Sequence, residues 1–451
     1  MPLVLIRGGT IVTMNLDREV FEGDIWVEDD RITAVVPVGG QVRGVLPPGP
    51  VPERIIEAGA KVVIPGLVQT HVHLCQTLFR GMADDLELLD WLRRRIWPLE
   101  AAHDPESVYD AARLGIGELL RGGTTTILDM ETVRHTESAF RAIEETGIRA
   151  IAGKVMMDHG DDLPPGLRES TADSLVESVD LFRRYNGAAG GRIGYAFSPR
   201  FAVSCSEPLL REVGELARQY GAMVHTHASE NRSEADLVRS ERGRSNVTYL
   251  GEVGLLGPRT VLAHCIWLEE EELRLLEETQ TRVSHCPSSN LKLASGVAMI
   301  EEMLERGISV SIGADGAPCN NNLDGFLEMR LASLLQKVRR GPTALPALRA
   351  LELMTIEGAR ALGLEREIGS LEPGKKADLA ILDLQRLHVA PFGGKVASQL
   401  VYAAHAEDVV ATMVDGRLLV EGGRLLALDQ DEVIARARRS ADRVAHRAQL
   451  S

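Results

Sequence analysis

Eight short apolar runs, each followed by a stretch of helical spacing, fill the middle of this 451-residue chain. In order they read LVQTHVHL, TTTILDM, RAIAGKVMM, RIGYAFSPR, AMVHTHASE, TVLAHC, TRVSHCPSSN and SVSIGADG. Strands buried on both faces lose the polar–apolar alternation of a surface strand, and strands that alternate with helices predict a parallel sheet. Eight such units predict an α/β barrel of about 250 residues. The helix after the first run is typical. DPESVYDAARLGIGELLRGG opens on Asp104 and Pro105 as cap and first-turn residue, carries apolar side chains at Val108, Ala111, Ala112, Leu119 and Leu120, and stops at Gly122 and Gly123.

The chain is longer than a barrel needs. Its first 60 or so residues are strand-like and turn-rich, with LVLIRGGTIVTM and GDIWVEDDRITAVVPV ahead of a Gly/Pro-dense loop. ADLAILDL and VVATMVDGRLLVEGG give the far end the same texture. We therefore expect residues 1–62 and 369–425 to form one composite β-sandwich domain, with the barrel at 63–368. Residues 426–451 read as a surface helix, with Asp429 and Glu432 at capping-box spacing.

A formal net charge of −15 argues against nucleic acid or an anionic membrane as the main partner. No apolar stretch reaches the roughly 20 residues that span a bilayer, and the first residues lack the basic-then-apolar order of a signal peptide. Cys75, Cys205, Cys265, Cys286 and Cys319 are odd in number and form no C-x-x-C pair. They predict free thiols in a reducing cytoplasm. Cys265 and Cys286 each follow a histidine, and we read them as small buried residues beside a site, not as thiolate ligands or nucleophiles.

Barrel enzymes carry their chemistry at the carboxyl ends of the strands. In a strand, residues i and i+2 share a face, so His71 and His73 of the first run project side by side while Val72 turns away. The fifth run supplies His225, His227 and then Glu230; the sixth ends at His264, the seventh holds His285, and the eighth ends at Asp315. Three neutral imidazoles and one carboxylate suit a borderline divalent ion, zinc or iron. We assign His71, His73, His227 and Asp315 as its ligands. His225 shares a face with His227 and competes for that role, but it lies one pleat deeper and we favour a structural part for it. The fourth run ends without a lysine to bridge two ions, so one metal is expected. Such an ion lowers the pKa of bound water to about 7. Glu230 stands where it can move a proton between water and substrate; its plainer reading is a helix N-terminal carboxylate. His264 can hold the water and steady an oxyanion. A non-enzymatic scaffold on a degenerate barrel is the contrasting class, and it would be expected to have lost ligands that are all present here.

PGLVQTHVH, HTHASE, LAHC, SHCPSSNLKLASG, GADGAPCNNNLDGFLEMR and GSLEPGKKADLAILDL, spread over nearly the whole chain, resemble the amidohydrolase superfamily and in particular its aminohydrolase branch. The resemblance implies a mononuclear deaminase on a distorted (β/α)8, or TIM, barrel with a composite β-sandwich. In it the ligands match His71, His73, His227 and Asp315, the proton-shuttling glutamate matches Glu230, and the strand-six histidine matches His264. RGMADDLELLDWLRRRIWPLE and GADGAPCNN are similar to deaminases of adenosine-type nucleosides, with 5′-deoxyadenosine, S-adenosylhomocysteine and methylthioadenosine as their substrates. There the residue matching Glu100 holds the ribose hydroxyls, since a carboxylate accepts from both ends of a diol; the plainer reading of Glu100 is a solvated helix residue. Trp91 and Trp97 would form an apolar lid over a purine, or simply pack the long loop. GKVMMD, SPRFAVSCSE and HASENR are similar to guanine deaminase, in which residues matching Gln76, Arg200 and Phe201 touch the base. Nucleoside deaminases usually carry a histidine where this chain has Arg200, which only donates. Lys154 would reach a substrate carboxylate or sit as a rim charge. Triazine hydrolases share the scaffold and give a third reading. The expectation is a zinc enzyme, with iron the alternative metal, acting with water on a small purine-like molecule. Adenosine-type nucleosides come first and guanine second, without nucleic acid or membrane partners, in a family where homo-oligomers are common.

Overall fold

The computed structural model describes residues 3–450 except 48, 50, 392 and 393. Eight parallel strands form its centre: β1 (Leu67–His73), β2 (Thr124–Met130), β3 (Arg149–Gly153), β4 (Ile193–Pro199), β5 (Met223–Ala228), β6 (Thr260–His264), β7 (Arg282–His285) and β8 (Val310–Ile312). Each pairs in parallel with the next in sequence. Every residue of β1, β2 and β6 is buried, which explains why their sequences do not alternate.

The ring closes by a detour. β8 pairs with β7, the chain then steps through Gly313 and Ala314, and Asp315–Gly316 pairs with Val72 and His73 of β1. Gly313 is required at that step. A Cβ there would lie 2.6 Å from the His71 carbonyl oxygen and 2.7 Å from its nitrogen. The step puts Asp315 directly beside the two histidines of β1.

The helix Pro105–Arg121 begins as its sequence predicts. Asp104 accepts from the Ser107 backbone N–H, and Ser107 returns the bond. The last helix, Gln430–Arg447, is capped by Asp429, but it is not merely a surface helix. It buries Val433, Ala437 and Val444, and Arg436 and Ser440 both donate to the buried Asp110 of Pro105–Arg121. A long-range carboxylate partner fixes it there, which no local periodicity encodes.

The chain ends build a second sheet, continuous through ten strands. Its seam is Val62–Pro65 paired antiparallel with Leu379–Leu382. Ile25, Val27 and Ile32 from one end share a core with Leu379, Ile381 and Met413 from the other. At the base of the barrel, Arg149 forks onto Asp378 with N–O distances of 2.8 and 3.1 Å and also donates to Asp415, tying β3 to this sheet. No helix among the described residues is long and apolar enough to cross a membrane.

Candidate metal centre and active site

Four strand ends converge at the mouth of the barrel. His71 Nε2 and His73 Nε2 each lie 3.4 Å from Asp315 Oδ1, and His73 Nε2 lies 3.3 Å from His227 Nε2. Nitrogens of His71, His73 and His227 all fall within 4.8 Å of one another, and so do donor atoms of Glu230, His264 and Asp315. The backbone is bent to achieve this. Ser229, His264, Cys265 and Asp315 all adopt left-handed φ, between 50° and 73°, where non-glycine residues are uncommon.

Hydrogen bonds behind the rings decide which nitrogen faces the centre. His73 Nδ1 donates to Met130 O at 2.7 Å, and His227 Nδ1 donates to Arg200 O at 2.7 Å. Both therefore turn a bare Nε2 inward. His71 Nδ1 lies 2.9 Å from His225 Nε2. With the proton on His71, its Nε2 also points bare into the centre, and that atom has no protein partner. His225 thus sits behind His71, one pleat deeper. Burial drives the His73 pKa down to about 3, with the neighbouring His71 adding to the effect, and it pushes His227 well below the ordinary imidazole range. Burial opposes ionisation of Asp315, but contact with His71 and the other imidazoles holds its pKa well below the usual carboxylate value. Three imidazoles that turn Nε2 inward, one of those nitrogens without a hydrogen-bond partner, and a carboxylate beside them are a donor set that fits a divalent metal ion.

Glu230 and His264 stand across from these four. His264 Nε2 is 3.5 Å from Glu230 Oε2 and 3.8 Å from Asp315 Oδ2, and it too lacks a partner. Burial lowers the His264 pKa to about 4, and its Nδ1 donates to Asn290 Oδ1 at 2.8 Å. Burial, with Asp315 and Glu234 nearby, raises the Glu230 pKa well above the carboxylate range, so Glu230 is built to carry a proton.

The remaining candidates divide. Gln76, Trp91, Arg200 and Phe201 line the cavity with His73, His227, Glu230 and Asp315. Glu100 is 3% exposed and not on a solvated face. It accepts from Arg200 Nη1 at 2.5 Å, Arg200 Nη2 at 3.2 Å and Gln76 Nε2 at 2.8 Å. Trp97 is buried in the apolar cluster beneath the covering segment and does not line the cavity. Lys154 is neither a rim charge nor free to meet a substrate. It is fully buried and donates to Val133 O, Val155 O and Glu169 Oε2, which uses all three of its protons. His285 is buried and belongs to none of the three close groups of donor atoms. All five cysteines are buried and free; burial raises the Cys286 thiol pKa well up, so it stays protonated although it lies close to His71 and His264.

Some residues that shape the site carry no strong sequence signal. Ser289 Oγ donates to Asp315 Oδ2 at 2.6 Å, and Asn290 orients His264. Both lie in the run TRVSHCPSSN, where a serine and an asparagine read equally well as turn formers. Asp129, at the end of β2, accepts from Leu74 N at 2.9 Å and secures the turn that follows the two histidines of β1. Leu88 and Leu92 cover the mouth with Trp91.

Comparison with known proteins agrees with this geometry. Residues 62–419 match the model of the amidohydrolase family. The chain is 43% identical over 439 residues to the 5′-deoxyadenosine deaminase of Methanothermobacter thermautotrophicus, covering 97% of this chain and 98% of that protein. It is 40% identical over 436 residues to the 5-methylthioadenosine/S-adenosylhomocysteine deaminase of Moorella thermoacetica, covering 96% and 98%. Among solved structures, an adenosine deaminase from Xanthomonas campestris with bound zinc superposes with a TM-score of 0.90 at 34% identity, covering 98% of each chain.

Proposed function

This chain belongs to the amidohydrolase family, and we infer from its site a metal-dependent hydrolytic deaminase that replaces an exocyclic amine of a purine-type ring with oxygen and releases ammonia. The substrate we propose is an adenosine-type nucleoside, 5′-deoxyadenosine or S-adenosylhomocysteine first, and the ion we propose is zinc, with iron the alternative. One observation supports the chemistry: nitrogens of His71, His73 and His227 lie within 4.8 Å of one another, Asp315 Oδ1 is 3.4 Å from two of them, and Glu230 and His264 stand beside Asp315. The substrate class is supported by relatives alike over almost their whole length and named for deamination of such nucleosides. Five buried free cysteines support action in the reducing cytoplasm.

His71, His73, His227 and Asp315 would hold the ion, which when bound activates a water molecule for attack at neutral pH. His264 Nε2, unprotonated and aimed at the centre, accepts a hydrogen bond from that water and holds it in line. Glu230 moves one proton from the water to a ring nitrogen and the second, from the hydroxyl then on the ring carbon, to the departing amine, so that the water oxygen stays on the ring carbon and the nitrogen leaves as ammonia. Ser289 restrains the outer oxygen of Asp315 while this occurs. Arg200, Gln76, Phe201 and Trp91 meet the ring. The covered cavity measures only ≈ 20 Å³, room for one water. Leu88, Trp91 and Leu92 must therefore lift to admit a purine.

A second reading, guanine, is favoured by one feature. Glu100 already holds Arg200 and Gln76, and the Gln76 Oε1 acceptor is left without a partner. A base edge with adjacent donor and acceptor would complete that pair without a sugar. Ammonia release measured across 5′-deoxyadenosine, S-adenosylhomocysteine, methylthioadenosine, guanine and an aminotriazine separates the readings. Turnover of at least one nucleoside is expected. Turnover of guanine with none of any nucleoside would reverse the order of the two.

A further inference from the structure

Arg200 is an unexpected neighbour for a cation site. Arg200 lines the same cavity as His73, His227 and Asp315, and its own carbonyl orients the proposed ligand His227. At 3% exposure it has little water to screen it, and two cations in a medium of low dielectric repel strongly. A barrel mouth that carries this guanidinium is a poor place for a divalent ion unless the charge is cancelled nearby.

Glu100 supplies the cancelling charge. It comes from the helix Trp97–Ala101, 100 residues earlier in sequence, and grips Arg200 through both carboxylate oxygens. The two side chains are 4% and 1% exposed. Gln76 donates to Oε1 as well, so that oxygen accepts twice and the carboxylate is held on two sides. A ribose diol would have to compete with a buried, charge-assisted fork for the same oxygens.

We propose that Glu100 is the counter-ion of Arg200, and a positioning residue for the metal centre: it neutralises the guanidinium so that a divalent ion can bind beside it, and it pins the segment whose carbonyl fixes His227. The inference rests on the proposed metal centre and not on the choice of substrate.

The test is a zinc titration of the metal-stripped, full-length protein in competition with a chromophoric chelator, with no substrate present. Glu100→Gln keeps the shape and removes the charge. It should weaken zinc binding roughly ten- to a hundredfold, the range seen when a group behind a ligand is lost. Arg200→Gln removes the charge that needs cancelling, and it should bind zinc at least as tightly as the unaltered protein. The double variant should recover to within about threefold of the unaltered protein. Zinc binding by Glu100→Gln equal to that of the unaltered protein would overturn the proposal. So would a double variant as weak as Glu100→Gln, or an Arg200→Gln protein that loses zinc tenfold. If Glu100→Gln fails to fold, Glu100→Ala takes its place with the same expectation and the same overturning result. A simple ribose clamp predicts a different pattern: a raised KM for nucleosides and an unchanged zinc constant. Because the titration contains no substrate, it can fail while the nucleoside assay succeeds, and the reverse.

Discussion

Two buried arginine–carboxylate pairs stand at opposite ends of the barrel. Arg149 opens β3 at the base and is gripped by Asp378 and Asp415 of the second sheet. Arg200 follows β4 at the mouth and is gripped by Glu100. Their surroundings differ. At the base, Arg149 donates to both carboxylates and the Asp415 backbone N–H donates to Asp378 at 2.8 Å. At the mouth, His71 Nε2, His264 Nε2, Gln76 Oε1 and Trp91 Nε1 are buried with no protein partner. A buried polar atom left unpaired costs free energy, and a fold keeps several together only where something else completes them. The backbone tells the same story. Left-handed φ just before β2 and β3 falls on Gly123 and Gly147, whereas at the mouth it falls on Ser229, His264, Cys265 and Asp315. Non-glycine residues also adopt left-handed φ at the base, at Gln280 before β7 and at Asp415 beside Arg149, but at the mouth they include His264 and Asp315, whose side chains enter the site.

If that contrast is right, damage at the mouth should cost activity and damage at the base should cost stability. The largest effect is expected from Asp315→Asn. Bound zinc should drop from one equivalent to a small fraction by elemental analysis, and kcat/KM should fall at least about a thousandfold, while the stripped protein unfolds near the temperature of the unaltered stripped protein. A comparable collapse in stability would erase the distinction between the two ends. Next comes Arg149→Met at the base. It leaves Asp378 buried without its cation, and urea denaturation should show a loss of about 3–5 kcal/mol. Zinc content and kcat/KM of the folded protein should stay within about twofold; a large fall in either would show that the base reaches the chemistry.

The smallest effect sharpens the comparison with a charge that belongs to neither region. Asp104 caps Pro105–Arg121 and pairs with Arg447. Burial pushes its pKa up, but Arg447 and the bonds from Ser107 outweigh that and hold it below the usual value. A lowered carboxylate pKa stabilises the fold above the unfolded-state value, near 4, and the benefit is lost as pH falls through the folded-state value. Asp104→Ala should therefore cost about 1 kcal/mol at pH 7, since the pair is partly exposed and screened. The gap between variant and unaltered protein should shrink below about pH 4 in urea melts. A gap that stays constant with pH would mean the cap acts through shape and not charge.

The amino-acid sequence by itself determined the eight parallel strands, the helix starts and which histidines and acidic residues stand at the strand ends, because each is written in a short stretch. Burial on both faces erases alternation within five to eight residues, a cap is set by its own first turn, and a strand end aims whatever side chain it carries toward the mouth. Only the tertiary structure decided the partners. Lys154 reads as a substrate contact or a rim charge until Val133, Val155 and Glu169 are seen to take its three protons. Glu100 reads as a solvated residue or a ribose contact, and only the fold buries it and brings Arg200, 100 positions away, onto it. The last helix reads as a surface element until Asp110 claims Arg436 and Ser440. The detour through Gly313 that sets Asp315 beside His71 and His73 depends on how the eighth strand meets the first. A charged or polar side chain takes its role from whatever the fold brings against it, and that neighbour is set by packing over the whole chain.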